Sequence, residues 1–160
     1  MSAMTPYYEI IKSITKFYKL KQKITIFEIG VRRGVSTGAV LEGIILRRNR
    51  GKLISCDTGY YYKSVKREEL RKNWTFINKA SQNIDWTDEI DILIIDGEHT
   101  YKAVKRDYEK YEPFVKNGGM IIMHDMNPGF SNASPYWDEI KHPKILLNLN
   151  PSGLGIITKP

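Results

Sequence analysis

The segment 28–36, Glu-Ile-Gly-Val-Arg-Arg-Gly-Val-Ser, places a carboxylate beside two glycines. Gly30 and Gly34 permit unusual backbone angles and a close approach of a ligand. Arg32 stands where the dinucleotide pattern G-x-G-x-x-G has its second glycine, so a pyrophosphate would not find the close backbone approach it needs. A ligand with a ribose and an amino acid part but no phosphates fits better. Asp57, ending the next predicted strand, suits a ribose diol because a carboxylate accepts two hydroxyl hydrogen bonds.

Ionisable side chains also follow two later apolar runs. Asp-Gly-Glu-His at 96–99 follows the run 92–95, and His-Asp at 124–125 follows the run 120–123. An unpaired charge at the end of an apolar strand is costly, so Asp96 indicates a site rather than packing. Ligands of open α/β sheets bind beyond the carboxyl ends of the strands, where all these groups would meet.

The pattern of apolar residues predicts the scaffold that brings these strand ends together. Short runs rich in β-branched residues predict strands, and apolar residues spaced three and four apart predict helices. Strands are predicted at 24–29, 52–57, 74–77, 91–96, 120–123, 144–149 and 154–158. Helices are predicted from Thr5-Pro6 to Tyr18, from a cap at Ser36 or Thr37 to about residue 50, at 65–72, at 102–115 and around 137–140, with Gly118-Gly119 breaking the fourth.

Strands that alternate with helices predict a parallel sheet covered on both faces. The last two strands have no helix between them, so they are expected to pair as a hairpin with one strand antiparallel to the rest. The predicted fold class is therefore α/β, a doubly wound and mostly parallel sheet of about seven strands with a C-terminal antiparallel hairpin. One domain, 1–160, is expected, with an N-terminal helix within 1–22 that precedes the core.

Composition excludes several classes of protein. The 160 residues are 41% hydrophobic and 27% charged, which is globular composition, and no apolar run approaches the ~20 residues that span a bilayer. Cys56 is the only cysteine, and 1–6 does not resemble a signal peptide, so a cytoplasmic protein without intrachain disulfides is expected. The formal charge of +7 suggests either an anionic partner or a lysine-rich solvated surface.

Longer motifs indicate a family. Segment 27–36 resembles the cofactor motif of class I S-adenosylmethionine-dependent methyltransferases, which have a Rossmann-like domain. Segments 94–101, Ile-Ile-Asp-Gly-Glu-His-Thr-Tyr, and 118–125, Gly-Gly-Met-Ile-Ile-Met-His-Asp, resemble the small-molecule O-methyltransferase branch with its macrocin-type sugar, cephalosporin hydroxylase-like and catechol-type members. Segments 137–141 and 153–155 also match that branch, and the similarity extends over 24–158.

The resemblance implies roles for the matching positions. The cofactor-binding residues would be Glu28, Gly30, Gly34, Ser36, Asp57, Ala80, Ser81 and Asp96. Within this set Glu28 and Gly30 would face the methionine part, Asp57 the ribose, and Ala80 with Ser81 the adenine. His99 falls where such enzymes place a general base, and Asp96 would share in catalysis.

The same resemblance implies a metal site at Asp96, His124 and Asp125. A magnesium ion prefers oxygen ligands, and many metal-dependent members have an acidic or amide oxygen where His124 stands. Imidazole suits softer ions such as Mn²⁺, or His124 forms hydrogen bonds without touching metal. Dependence on Mg²⁺ or Mn²⁺ therefore stays open at the level of sequence.

The expected function is methyl transfer from S-adenosylmethionine to a hydroxyl of a small molecule, with a sugar or glycan as the expected acceptor. One alternative is a nucleic-acid methyltransferase, which the +7 charge favours, although no Asn-Pro-Pro-Tyr motif, zinc cluster or recognition domain supports it. The other alternative is a cofactor-binding or partner-binding domain without turnover. A homo-oligomer could complete an open acceptor site, and no membrane span is expected.

Two groups of basic residues have different interpretations. The group at 63–72 has only Glu68 and Glu69 as compensation and could steer an anionic substrate. The group at 102–110 is interleaved with Asp107 and Glu109, which predicts a solvated helix face rich in ion pairs.

Overall fold

The computed structural model describes residues 2–160. Seven strands form one sheet: β1 Ile24–Ile29, β2 Gly51–Cys56, β3 Trp74–Ile77, β4 Ile90–Ile95, β5 Val115–His124, β6 Lys144–Leu147 and β7 Leu154–Thr158. Five α-helices connect or flank them: α1 Tyr8–Phe17, α2 Val35–Leu46, α3 Glu68–Arg71, α4 Tyr101–Tyr111 and α5 Ser134–Glu139. Within the described residues no helix is long and apolar enough to cross a membrane.

The sheet has the strand order β3-β2-β1-β4-β5-β7-β6. Strands β1 to β5 pair in parallel, whereas β7 runs antiparallel to both of its neighbours, β5 and β6. The predicted mixed sheet with its C-terminal hairpin is confirmed. The chain reverses its direction of winding between β1 and β4, and such a switch point leaves a crevice at the carboxyl ends of the strands.

Both faces of the sheet are buried, as its near-continuous apolar strands predict. Ile26 of β1 packs in a cluster with α1 and α2 residues, including Ile11 and Leu41. The next residue, Phe27, points to the other face and packs in a cluster with Tyr111 of α4. Alternate side chains of one central strand therefore join the two helical layers to the sheet.

The helices α1 and α2 cross closely and are joined by one buried guanidinium. A Cβ atom on Gly43 would lie 2.6 Å from the Thr15 Cβ, so only glycine allows this crossing. Arg47 is 3% exposed and donates four hydrogen bonds of 2.7–3.0 Å to main-chain oxygens. The acceptors lie at the end of α1 and in the turn after it: Thr15, Tyr18, Lys19 and Gln22.

Two local predictions are wrong, and one helix is shorter than predicted. Gly118 and Gly119 lie inside β5 and do not break a helix, because α4 has already ended at Tyr111, two residues before Pro113. The predicted cap of α2 at Ser36 or Thr37 is replaced by Gly34, and those hydroxyls serve another purpose. The helix expected at 65–72 shortens to Glu68–Arg71.

Candidate functional site

A cavity of about 700 Å³ opens at the carboxyl ends of β1 to β5. Nine of the predicted site residues line it: Gly30, Ser36, Asp57, Ala80, Ser81, Asp96, His99, His124 and Asp125. The other two predicted site residues, Glu28 and Gly34, do not line the cavity. Its volume lies within the usual ~300–1,000 Å³ of small-molecule sites.

The loop after β1 forms one wall of the cavity. Gly30 has φ +91°, and a Cβ there would lie 2.2 Å from the Asp96 main-chain oxygen, so glycine is required where the β1 and β4 loops touch. Asp57 Oδ2 accepts the main-chain N–H groups of Val31 at 2.8 Å and Arg32 at 3.3 Å. The carboxylate predicted to bind a ribose therefore also fixes the loop beside it.

Glu28 lies beneath this wall and is fully buried. Ser36 Oγ donates to Glu28 Oε1 at 2.6 Å, while Thr37 Oγ1 and Ser55 Oγ donate to Oε2 at 2.8 and 2.6 Å. Burial raises the pKa of Glu28 to about 7, although the three hydroxyl donors oppose that rise. Glu28 joins β1, β2 and α2, and the residue it presents to the cavity is Ser36.

The opposite wall combines the residues after β3 with α4. Ser81 Oγ donates to Asp107 Oδ1 at 2.7 Å, and the Ser81 main-chain oxygen accepts Tyr111 Oη–H at 2.6 Å. Lys110 Nζ donates to three main-chain oxygens of the same segment. Asp107 is 2% exposed, so its assignment to a solvated helix face is wrong.

Four ionisable groups meet at the ends of β4 and β5. His124 Nδ1 lies 2.9 Å from Asp96 Oδ1 and 3.1 Å from Asp125 Oδ1. His99 Nδ1 lies 3.1 Å from Asp125 Oδ2, and its Nε2 lies 4.0 Å from Asp96 Oδ1. The structure therefore brings together the two segments whose pairing the sequence singled out.

His124 is held at both ring nitrogens. Its Nε2 lies 3.1 Å from Ser152 Oγ, and that hydroxyl donates to Asn150 Oδ1 at 2.6 Å, so Nε2 acts as the donor to Ser152. Burial alone would lower the pKa of His124, but the hydrogen bond to Asp96 and the charges of Asp96 and Asp125 outweigh it, and the pKa is raised.

Asp125 occupies a strained and enclosed position. Its φ of +63° is unusual for a residue other than glycine. Burial raises its pKa, against the lowering effect of His124 and His99. Its Oδ1 is buried and no well-aligned donor among residues 2–160 reaches it. Backbone strain of this kind is typical of functional sites.

The donor set fits a divalent cation. Atoms of Asp96, His99 and His124 that can ligate lie within 4.8 Å of one another, and the orphaned Asp125 oxygen adds a further acceptor beside them. Mixed carboxylate and imidazole ligands suit Mn²⁺ and similar ions. The Nε2 atom of His99 lies 4.0 Å from Asp96 Oδ1, beyond hydrogen-bond distance, so it can ligate an ion. His124 would first have to release its hydrogen bond to Asp96 or to Ser152.

The remaining predicted features lie outside the cluster. Within the basic group at 63–72, Arg67 pairs with Glu42 and Glu69, and Arg71 lies over the Tyr62 ring and donates to the Val65 oxygen. Arg67 is therefore the member of the group with carboxylate partners, and none of the residues at 63–72 lines the cavity.

Sequence reasoning missed several residues of the site. The segment Ser2–Met4 and Phe130 line the cavity, and Ser152 holds His124. Asp107 had a usable signal, since it lies three residues after Val104 and four before Tyr111, on the buried stripe of α4. The others come from loops whose positions depend on tertiary structure.

Comparison with known proteins identifies a family for this chain. The family described as "Methyltransferase domain" matches residues 27–126. Uncharacterized protein R132 of Acanthamoeba polyphaga mimivirus is 26% identical over 136 residues, which are 74% of this chain. The chain spans 58% of the length of that relative.

Solved structures share the fold at low identity. An O-methyltransferase from Bacillus cereus in complex with SAH has a TM-score of 0.74 at 12% identity, covering 100% of this chain and 82% of that one. A TDP-rhamnose 3'-O-methyltransferase of calicheamicin biosynthesis has a TM-score of 0.71 at 16% identity, covering 93% and 78%. A protein from Clostridium thermocellum described as an rRNA methylase has a TM-score of 0.69 at 13% identity, covering 99% of both chains.

Proposed function

We propose, since the chain belongs to the class I S-adenosylmethionine-dependent methyltransferase family, that it transfers the cofactor's methyl group to a hydroxyl oxygen of a small molecule. The observation that carries the proposal is the contact of His99 with Asp125 beside Asp96, at the cavity edge where the β4 and β5 loops meet. Methyl transfer to oxygen needs a group there that removes the hydroxyl proton.

The cofactor would lie across the carboxyl ends of β1, β2 and β3. Gly30 lines the cavity beside its methionine part, Asp57 faces its ribose, and Ala80 with Ser81 borders its adenine. The sulfonium of the cofactor carries the reactive methyl group, so the protein has to align the acceptor and handle one proton.

His99 is the proposed general base. If its Nδ1 donates to Asp125 Oδ2 at 3.1 Å, its Nε2 is left without a proton and can accept one from the acceptor hydroxyl. Asp125 fixes the tautomer and orientation of the ring, as carboxylates beside catalytic histidines do. The side chain of His99 is 34% exposed, so an acceptor can reach it.

A divalent cation fits the same edge, with Asp96, Asp125 and an imidazole to hold it. When bound, such an ion lowers the pKa of a coordinated hydroxyl. Where His124 supplies the imidazole, His99 keeps its task as the base, because Asp125 still orients its ring.

A sugar or glycan is the proposed acceptor class. The support is the polar character of the acceptor side, where Asp96, His99 and Asp125 offer hydrogen bonds to hydroxyls. A TDP-rhamnose 3'-O-methyltransferase shares the fold at 16% identity.

The test combines binding with turnover. We expect calorimetry to show that wild-type protein binds S-adenosylhomocysteine (SAH), and radiolabelled S-adenosylmethionine to methylate members of a panel of sugars and nucleotide sugars. His99→Asn should lower kcat by about 100-fold or more while leaving the SAH Kd unchanged, because a general base contributes ~10²–10⁴. Unchanged kcat in this variant would remove His99 as the base.

His142→Asn is the matched control, since His142 pairs with Glu112 at 3.2 Å and does not line the cavity. Its kcat and SAH affinity should match wild type. A parallel assay with EDTA decides the role of metal: turnover that survives chelation would leave proton removal to His99 alone.

A further inference from the structure

Positive charge is concentrated at the end of the sheet opposite the cavity. The segments 16–23 and 46–52 contain eight of the 25 lysine and arginine residues and no acidic residue. Ile24 N–H, at the start of β1, donates to the Arg50 main-chain oxygen at 3.3 Å, just before β2 starts. The two segments are therefore neighbours at the N-terminal ends of these strands, and together they form the basal surface.

Most of the charge on the basal surface has no partner within the protein. Lys52 pairs with Asp88 at 2.9 Å, but in residues 2–160 no carboxylate oxygen lies within 4.0 Å of the other seven basic side chains. The nearby Asp91 is 1% exposed and is bound by Lys116 and by Thr25 N–H. Four of the seven basic side chains are exposed: Lys21, Lys23, Arg48 and Arg50.

Three large apolar side chains lie on the same surface. Phe17 at the end of α1, Leu20 in the turn after it and Leu46 at the end of α2 are 58%, 50% and 52% exposed. The Arg47 guanidinium binds main-chain oxygens on both sides of Phe17, so the two helix ends are in contact. Lys16 Nζ lies 4.6 Å from the centroid of the Phe17 ring. Exposed apolar side chains among cations are typical of surfaces that bind at a membrane interface.

An anionic lipid bilayer fits this combination better than other partners do. Its headgroups complement the unpaired cations, and the region beneath them accepts apolar side chains. A nucleic acid would also pair with the cations, but Leu20 and Leu46 cannot stack on bases. A second copy of the chain would bring two sets of like charges together, which costs free energy.

We propose that the basal surface docks the protein on an anionic lipid bilayer, with Phe17, Leu20 and Leu46 in the headgroup region and the basic side chains against lipid phosphates. The contact is peripheral and reversible, because it uses a few side chains and no spanning segment. The cavity lies at the other end of the strands, so it faces away from the bilayer and stays open to ligands. This inference does not depend on the proposed function, and its test measures no methyl transfer.

Co-sedimentation with vesicles tests the proposal on the wild-type protein. The partition coefficient for phosphatidylcholine vesicles with about 30% phosphatidylglycerol should be at least about 100-fold higher than for phosphatidylcholine alone, because each basic residue near an anionic surface strengthens binding by about fivefold. Salt at about 1 M, where the Debye length is about 3 Å, should remove most of this difference. Equal binding to both kinds of vesicle, or binding to neither, overturns the proposal.

Two matched variants locate the contact. One removes three exposed charges of the basal surface: Lys21→Gln, Lys23→Gln and Arg50→Gln. The control removes three exposed charges from the loop after β2 and the start of α4: Lys63→Gln, Lys66→Gln and Lys102→Gln. The first should lower the partition coefficient for the anionic vesicles by at least about 10-fold and the control by less than about threefold. Equal losses would show that net charge alone drives binding, which overturns the basal surface as the docking site.

The apolar side chains separate a bilayer from a nucleic acid. Leu20→Ser combined with Leu46→Ser should lower the partition coefficient by at least about 10-fold, because buried CH₂ groups contribute to binding at the interface. A leucine variant that binds vesicles as tightly as wild type overturns the bilayer as the occupant and leaves the basal surface to a nucleic acid. Thermal melts show whether each variant is folded, and if one is not, the wild-type comparison and its salt dependence decide.

Discussion

At the scale of single residues, Glu28 shows burial and hydrogen bonding acting in opposite directions. Burial raises its pKa from 4.5 to about 7 despite three hydroxyl donors. Because its ordinary value applies in the unfolded chain, between pH 4.5 and 7 the folded protein keeps a proton that the unfolded chain releases. Its contribution to stability therefore falls as pH rises through that window, and the loss is complete above pH 7.

Glu28→Gln removes this dependence. The shift of the Glu28 pKa from 4.5 to about 7 corresponds to about 3 kcal/mol. Between pH 4.5 and pH 8, the free energy of unfolding of the variant should therefore rise relative to that of wild type by up to this amount. Urea unfolding across this range measures it. Glu89→Gln, which is exposed, should give a profile parallel to wild type. A parallel profile in Glu28→Gln would show that Glu28 titrates near its ordinary value.

Single residues also show what the sequence could predict of the site. Asp57, Asp96, His99 and Asp125 follow strands whose carboxyl ends meet at one edge of the sheet, so their common cavity follows from the fold. Asp107 was assigned to the wrong face because the basic residues around it suggested a solvated helix. Ser152 enters through a turn after β6, and nothing in its local sequence indicates that it would bind His124.

At the scale of elements, the Arg47 side chain caps the C-terminal end of α1. The last carbonyls of a helix have no partner within it, and one guanidinium here satisfies four oxygens at that end and in the following turn. Burial lowers the pKa of Arg47. The junction between α1 and α2 thus depends on one cation as well as on the glycine at their crossing.

Replacing Arg47 by methionine should destabilise the protein by about 3 kcal/mol, because buried main-chain oxygens lose their donors. For a chain of this length the melting temperature should fall by about 6–12 °C. Scanning calorimetry measures the shift. Arg48→Met removes the same charge at an exposed neighbour and should change the melting temperature little. Similar melting temperatures for Arg47→Met and Arg48→Met would show that water replaces the guanidinium at no cost.

The elements themselves were largely predictable. The spacing and the composition of the apolar residues identified all seven strands and the hairpin. Buried strands are short, apolar and rich in β-branched residues, so they stand out in the sequence. Boundaries were harder, and β5 shows why. Its first half contains two glycines and pairs with β4 through an irregular register near Ile90, so local propensity there favours a loop and only tertiary pairing makes it a strand.

At the scale of the whole molecule, the +7 charge does not gather around the cavity. Asp57, Asp96, Glu98, Asp107 and Asp125 line it, against Arg32, Arg33, Lys79 and Arg106. The charges that line the cavity nearly balance, so a nucleic-acid backbone does not meet a continuous basic groove there. A protein described as an rRNA methylase has a similar fold, but the fold alone does not determine the charges that line this cavity.

Filter binding over a salt series should therefore show only weak association with RNA and DNA. We expect dissociation constants of ~10 μM or weaker at 0.15 M salt, the range of non-specific contacts, because few phosphates would be neutralised at once. SAH binding by the same preparation is the control for folded protein. Nanomolar affinity for either nucleic acid at that salt concentration would favour a nucleic-acid methyltransferase.

The two ends of the described chain lie at opposite ends of the strands of the sheet. Ser2–Met4 line the cavity, and the Ala3 oxygen accepts a hydrogen bond from Asn150 at 2.6 Å. The chain ends after the antiparallel strand β7, where Lys159 meets Gly118 and Gly119 at the start of β5. An affinity tag or fluorescent fusion joined before residue 2 would begin at the rim of the ligand pocket. The same fusion after residue 160 would be held on the far side, which makes it the suitable attachment for immobilised ligand screening.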